Sequence, residues 1–123
     1  MENGKKLIIL VDDNPANLRI GKNVLSDKYT VATAPSAAKM FSLLESNHPV
    51  IILLDIDMPE MDGFEAMEVL RSTSETRDIP VIFLTGMISS QDMEKGFSLG
   101  AVDYITKPFD PEALIACIEK YGR

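Results

Sequence analysis

The sequence alternates short apolar runs with longer stretches in which apolar positions recur every three or four residues. Five runs stand out, at residues 7–11, 29–32, 50–54, 81–84 and 102–105. The first, third and fourth are nearly unbroken Ile, Leu and Val, the composition of strands covered on both faces. Between them the spacing predicts helices. Asn14 can cap one, with Pro15 in its first turn and Leu18, Gly21 and Leu25 as its stripe. Ser36 caps a second, with Met40, Leu43 and Leu44 on one face, and Asp62 caps a third carrying Phe64, Met67 and Leu70. Ser89 or Ser90 opens a fourth that Gly100 ends, and Asp110-Pro111 opens a fifth with Leu114, Ile118 and Tyr121 inward. A β-α unit repeated five times predicts an α/β fold: a doubly wound, five-stranded parallel sheet with helices on both faces.

Composition narrows the picture. At 123 residues, with no internal repeat and no Pro/Gly/Ser-rich linker, residues 1–123 are expected to form a single domain. The fractions of apolar (46%) and charged (25%) residues are ordinary for a globular chain and exclude a disordered or low-complexity one. The first apolar run stops at Asp12 and Asp13, too soon for a signal peptide, and no run approaches a membrane span. One cysteine forms no internal disulfide, which fits a cytoplasmic location. The net charge of −7 argues against direct nucleic-acid binding, because neutralising phosphates takes clustered Lys and Arg. It leaves room for a cation where acids converge.

In open α/β sheets ligands bind beyond the carboxyl ends of the strands. Asp12 and Asp13 follow the first run, Asp55 and Asp57 the third, Thr85 and Gly86 the fourth, and Thr106, Lys107 and Pro108 the fifth. Two carboxylates about 4 Å apart repel by roughly 4 kcal/mol at an effective dielectric near 20, so a cluster of them calls for a counter-charge. Mg²⁺ suits such a place: it takes one or two carboxylates, keeps waters and accepts phosphate oxygens. Lys107 would act as a point charge on the same phosphate. An Asp carboxylate can itself be the nucleophile, giving an aspartyl phosphate.

These residues carry a resemblance. Asp12-Asp13, the segment from Leu53 through Asp55, Asp57, Met58, Pro59 and Met61 to Asp62-Gly63, then Thr85-Gly86, and Asp103-Tyr104 through Lys107-Pro108-Phe109 resemble the receiver domain of two-component response regulators, over nearly the whole chain. The resemblance implies a flavodoxin-like strand order, 2-1-3-4-5. It implies that Asp55 is the phosphoacceptor, attacking the phosphohistidine of a sensor histidine kinase or phosphotransfer protein, or a small phosphodonor. It implies Mg²⁺, with Mn²⁺ as substitute, held by Asp13, Asp55 and the backbone carbonyl of Asp57, with Asp12 acting mainly through bound water. It further implies that Lys107 pairs with the phosphoryl oxygens beside a cis Lys107-Pro108 bond. Thr85 would bond the phosphoryl group while Tyr104 swings inward behind it, altering the surface of the fourth helix, fifth strand and fifth helix. The domain would be a phosphorylation-dependent switch, catalysing only its own phosphorylation and slow dephosphorylation, and acting on an attached output domain or a separate downstream protein.

Plainer roles fit other residues. Asp62-Gly63 caps a helix, His48 lies on the surface, Cys117 packs in the last helix, and the methionines fill core positions except Met58 and Met61 in a loop. Asp57 and Met87 occupy positions that vary in receivers and tune phosphoryl lifetime. Cys117 follows Leu114-Ile115-Ala116 where the DNA-binding subgroup usually has arginine, which weakens a dimer of that type. Two alternatives remain: a haloacid-dehalogenase-type phosphatase reading Asp55-Ile56-Asp57 as its Asp-x-Asp motif, against which Pro59 stands, and a phosphate-independent interaction module.

Overall fold

A computed structural model describes residues 5–86 and 89–122. The elements are β1 (Lys6–Val11), α1 (Pro15–Leu25), β2 (Tyr29–Ala34), α2 (Ala37–Leu44), β3 (Ile51–Asp55), α3 (Gly63–Ser72), β4 (Val81–Thr85), α4 (Ser90–Ser98), β5 (Asp103–Thr106) and α5 (Pro111–Tyr121). They form one five-stranded sheet in the order β2-β1-β3-β4-β5, every pairing parallel.

The unbroken apolar runs are the three central strands, and they are unbroken because both faces of the sheet are covered. Successive side chains divide between two cores. Ile9, Val11, Ile52, Leu54, Val81 and Phe83 pack with Met40 of α2 and Phe64, Met67 and Leu70 of α3. Ile8, Leu10, Ile51, Leu53, Ile82 and Leu84 pack with Leu25 of α1 and Leu114 and Ile118 of α5. Burying any one of these larger side chains is worth about 1.5–3 kcal/mol. The central strands therefore have almost no freedom to slip: moving one residue along would exchange its two apolar sets between different helical partners.

The helix starts fall where the polar residues place them. Side chains of Asn14, Ser36, Asp62, Ser89 and Asp110 each accept an N–H from the first turn of their own helix. The Asp62 N–H in turn donates to the Glu65 carboxylate, completing a capping box. Ser89, not Ser90, caps α4, and Gly100 follows its end at φ 106°.

Strand ends moved. Ladder pairing carries β2 to Ala34, β3 to Asp55, β4 to Thr85 and β5 to Thr106. Asp55, paired with Leu84 of β4, and Thr85, paired with Thr106 of β5, are thus the last residues of strands and not the first residues of loops. Met58 also departs from its expected place: it is 8% exposed and belongs to the core beside Phe64.

Candidate functional site

Parallel strands all point their carboxyl ends the same way, so the polar residues there meet at one edge. Asp12 leaves β1 with its N–H on Ala34 O, and Lys107 leaves β5 with its N–H on Thr85 O at 2.8 Å. Asp12 is fully buried and held by three donors. Its Oδ1 accepts the Asn14 N–H at 2.9 Å, and its Oδ2 accepts Asn17 Nδ2 and Lys107 Nζ, both at 3.2 Å. Asp55 is 1% exposed. Its Oδ1 accepts Lys107 Nζ at 3.1 Å and the Asp57 N–H at 3.3 Å, whereas Oδ2 is buried with no hydrogen-bond partner.

The electrostatics follow. Burial, and then the nearby Asp12 charge, push the Asp55 carboxyl up to about 6, while Lys107 and the Asp57 N–H pull it down. Burial works against the Lys107 ammonium, but Asp12 and Asp55 prevail and raise its pKa. Asp13 stands exposed beside this pair. One carboxylate oxygen from each of Asp12, Asp13 and Asp55 lies within 4.8 Å of the others. Hard oxygen donors from three convergent carboxylates and their crowded charge are a fit for a small divalent cation.

Local packing explains why Asp55 stands so firmly. A β-carbon at Gly63 would lie 2.5 Å from the Asp55 carbonyl oxygen and 2.8 Å from Ile56 Cα. Only glycine lets α3 begin against the end of β3, where the Gly63 N–H bonds Ile56 O at 2.8 Å. The Asp62-Gly63 pair is therefore both a cap and a close approach that fixes the acid.

Of the remaining residues singled out above, Thr85 is 4% exposed at the end of β4, next to β5. The Lys107-Pro108 peptide is cis. Tyr104 is buried, its ring against Phe83 and Phe97, and its hydroxyl donates to Asp92 O. Asp57 contributes its N–H to Asp55 while its side chain is exposed. His48 is exposed just before β3, at the opposite end of the sheet. Met87 lies outside the described residues. Cys117 is half-buried, 3.6 Å from Asp103 Oδ2, and burial followed by that acid pushes its thiol up to about 12. Sequence reasoning missed Asn17, which could have been noticed as an amide one helical turn after the acidic pair. It also missed Arg71 and Gly96, whose partners are distant in the chain.

A model of the response regulator receiver domain matches residues 8–119. The chain belongs to that family. Among solved structures, the receiver domain superposes on the chemotaxis protein CheY4 of Vibrio cholerae with a TM-score of 0.91 at 27% identity, covering 96% of this chain and 99% of that one. It also matches the receiver domain of the sensor histidine kinase PA1611 of Pseudomonas aeruginosa, which has a magnesium ion coordinated in its active site cleft (TM-score 0.87, 28% identity, 97% and 98% covered). Among curated relatives, it is 41% identical over 102 residues to a probable cyclic di-GMP phosphodiesterase of Vibrio cholerae, covering 82% of this chain. It is 40% identical over 124 residues to the probable transcriptional regulator ycf27 of Cyanophora paradoxa, covering the whole of this chain. The receiver domain spans only 23% and 51% of those two proteins. The match is to a signalling regulator and favours neither the phosphatase nor the phosphate-independent alternative. No described helix is long and apolar enough to cross a membrane.

Proposed function

We propose that residues 1–123 form one receiver domain in which Asp55 accepts a phosphoryl group. The observation that carries this is the asymmetry of the Asp55 carboxylate: Oδ1 is held by Lys107 and the Asp57 N–H, while buried Oδ2 has no partner. A carboxylate fixed through one oxygen presents the other as a nucleophile. With a pKa of about 6, Asp55 is mainly ionised at pH 7 and ready to attack. The new bond joins Oδ2 to phosphorus as the phosphorus–nitrogen bond of a phosphohistidine breaks and the imidazole leaves. Lys107, already between Asp12 and Asp55, is placed to transfer its charge to the phosphoryl oxygens.

Asp12, Asp13 and Asp55, with the Asp57 carbonyl, would hold Mg²⁺ or Mn²⁺, which would supply positive charge opposite the phosphoryl oxygens. Thr85 would bond the new phosphoryl group, and Tyr104 would transmit the change to the surface of α4, β5 and α5. Asp57 and Met87 would set how long the phosphoryl group survives before the domain hydrolyses it. The donor would be a sensor histidine kinase, a phosphotransfer protein or a small acyl phosphate in the cytoplasm, and the receiver of the signal an attached output domain or a separate protein. Asp55→Asn should abolish hydroxylamine-labile labelling by acetyl phosphate in Mg²⁺ while leaving the fold intact by circular dichroism. Undiminished labelling of that variant would refute the assignment.

A further inference from the structure

The fourth helix carries a glycine in its interior, at Gly96, where alanine would form the better helix. The reason lies beneath it. A β-carbon on Gly96 would fall 1.9 Å from the Tyr104 hydroxyl oxygen, 2.9 Å from its Cζ and 3.0 Å from Phe83 Cδ2. The phenol thus occupies the space that any other residue would fill. Its hydroxyl donates to Asp92 O at 2.5 Å, the carbonyl that the N–H of residue 96 bonds in a regular α-helix. The side chain therefore enters the backbone ladder of α4 at the rung where the β-carbon is missing.

We propose that Gly96 is the positioning residue for Tyr104, opening a slot in α4 that holds the aromatic ring inward before any phosphoryl group is added. This deepens the switch reading above and rests on it for the meaning of "inward". Tyr104 lies on β5 next to Phe83 of β4, and the alternation of side chains puts Thr85, two residues further along β4, on the same face of the sheet as Phe83. The slot therefore lies on the Thr85 side of the sheet. Phe97, the next residue of α4, sets its ring 5.2 Å from that of Tyr104, edge to face, and is 44% exposed. The inward tyrosine thereby supports an aromatic presented to solvent on the surface that a partner would meet. Phosphorylation would then select and stabilise a ring arrangement already populated at rest.

A thermal-melting cycle on Gly96→Ala, Tyr104→Ala and the double variant tests the coupling, in metal-free buffer without phosphodonor. Gly96→Ala should lower the melting temperature when Tyr104 is present and raise it in the Tyr104→Ala background, where only helix propensity acts. An equal rise in both backgrounds would overturn the proposal. NMR of tyrosine-labelled protein supplies the direct signature: the resting Tyr104 ring should show contacts to the Gly96 α-protons. A ring that is solvent-mobile in the unmodified resting protein sinks the idea. Beryllofluoride with Mg²⁺ then links slot to switch: if Gly96→Ala leaves the ring inward in only a tenth of molecules, affinity for the analogue should fall about tenfold. Unchanged affinity in a variant whose ring has moved outward would also count against it. Failure of the Asp55→Asn labelling test would remove the phosphoacceptor reading while leaving the melting cycle and the NMR contact to decide Gly96 independently.

Discussion

Two corners of the receiver domain each draw charged side chains into the fold, a half-buried arginine at one and two fully buried acids at the other, and they treat them in opposite ways. At the α3–β4 corner the Arg71 guanidinium donates to the carbonyls of Arg77 at 2.9 Å, Ile79 at 3.1 Å and Gly100 at 3.1 Å, with Thr76 O at 3.5 Å. Thr76, which is buried, donates to Leu70 O at 2.7 Å. Arg71 thereby closes the turn that leads into β4 and ties it to the loop after α4, a completed network that asks for nothing from outside. At the carboxyl end of the sheet the opposite holds: two buried acids share one lysine, and an Asp55 oxygen has no partner. Native proteins rarely leave such an atom unsatisfied without a use for it. A charge held among backbone groups does not by itself mark a functional site; the unfinished set of hydrogen bonds around Asp55 does.

That contrast can be broken by substitution. Arg71→Ala strands several carbonyls at once and should cost about 3 kcal/mol in urea unfolding, with labelling at Asp55 retained. A loss of labelling with stability preserved would erase the distinction between the two corners.

Removing the charge at the other corner should have the reverse sign. Asp55 has its folded pKa raised from 3.8 to about 6, so between those values the native state binds more protons than the unfolded chain. The penalty is absent below the lower value, grows as pH rises through the window and is complete above it. In EDTA, Asp55→Asn should therefore raise the melting temperature by several degrees at pH 7.5, and the gain should shrink markedly by pH 4.5. An equal gain at both pH values would mean that the buried charge is not its source.

The smallest effect is expected at Asn17. Its amide is one of three donors on Asp12, so Asn17→Ala should cost about 1 kcal/mol, the ordinary worth of one such bond. A loss as large as that of Arg71→Ala would show that the acidic edge, too, depends on a complete network.

How much of this was legible beforehand depends on how far apart in the chain the partners lie. Asn14, Ser36, Asp62 and Asp110 announced their helices because a cap and its acceptor are neighbours in sequence. The acids and the lysine could be assigned to one edge because parallel strands repeat the same direction. Gly63 was visible only as a cap; its approach to the Asp55 backbone needed the packing of α3 on β3. Arg71 and Gly96 gave no local sign, since one serves carbonyls up to 29 residues away and the other accommodates a tyrosine from the next strand.

The sequence by itself determined the five β-α units, both faces of the sheet and the set of residues offered to its carboxyl edge, because periodicity and capping are local properties of the chain. Only the tertiary structure decided that Lys107 bridges Asp12 and Asp55, that one Asp55 oxygen is left without a partner, and that Tyr104 lies in a slot made by a missing β-carbon. These depend on distances between side chains that meet only when strands and helices pack, and no pattern along the chain encodes them.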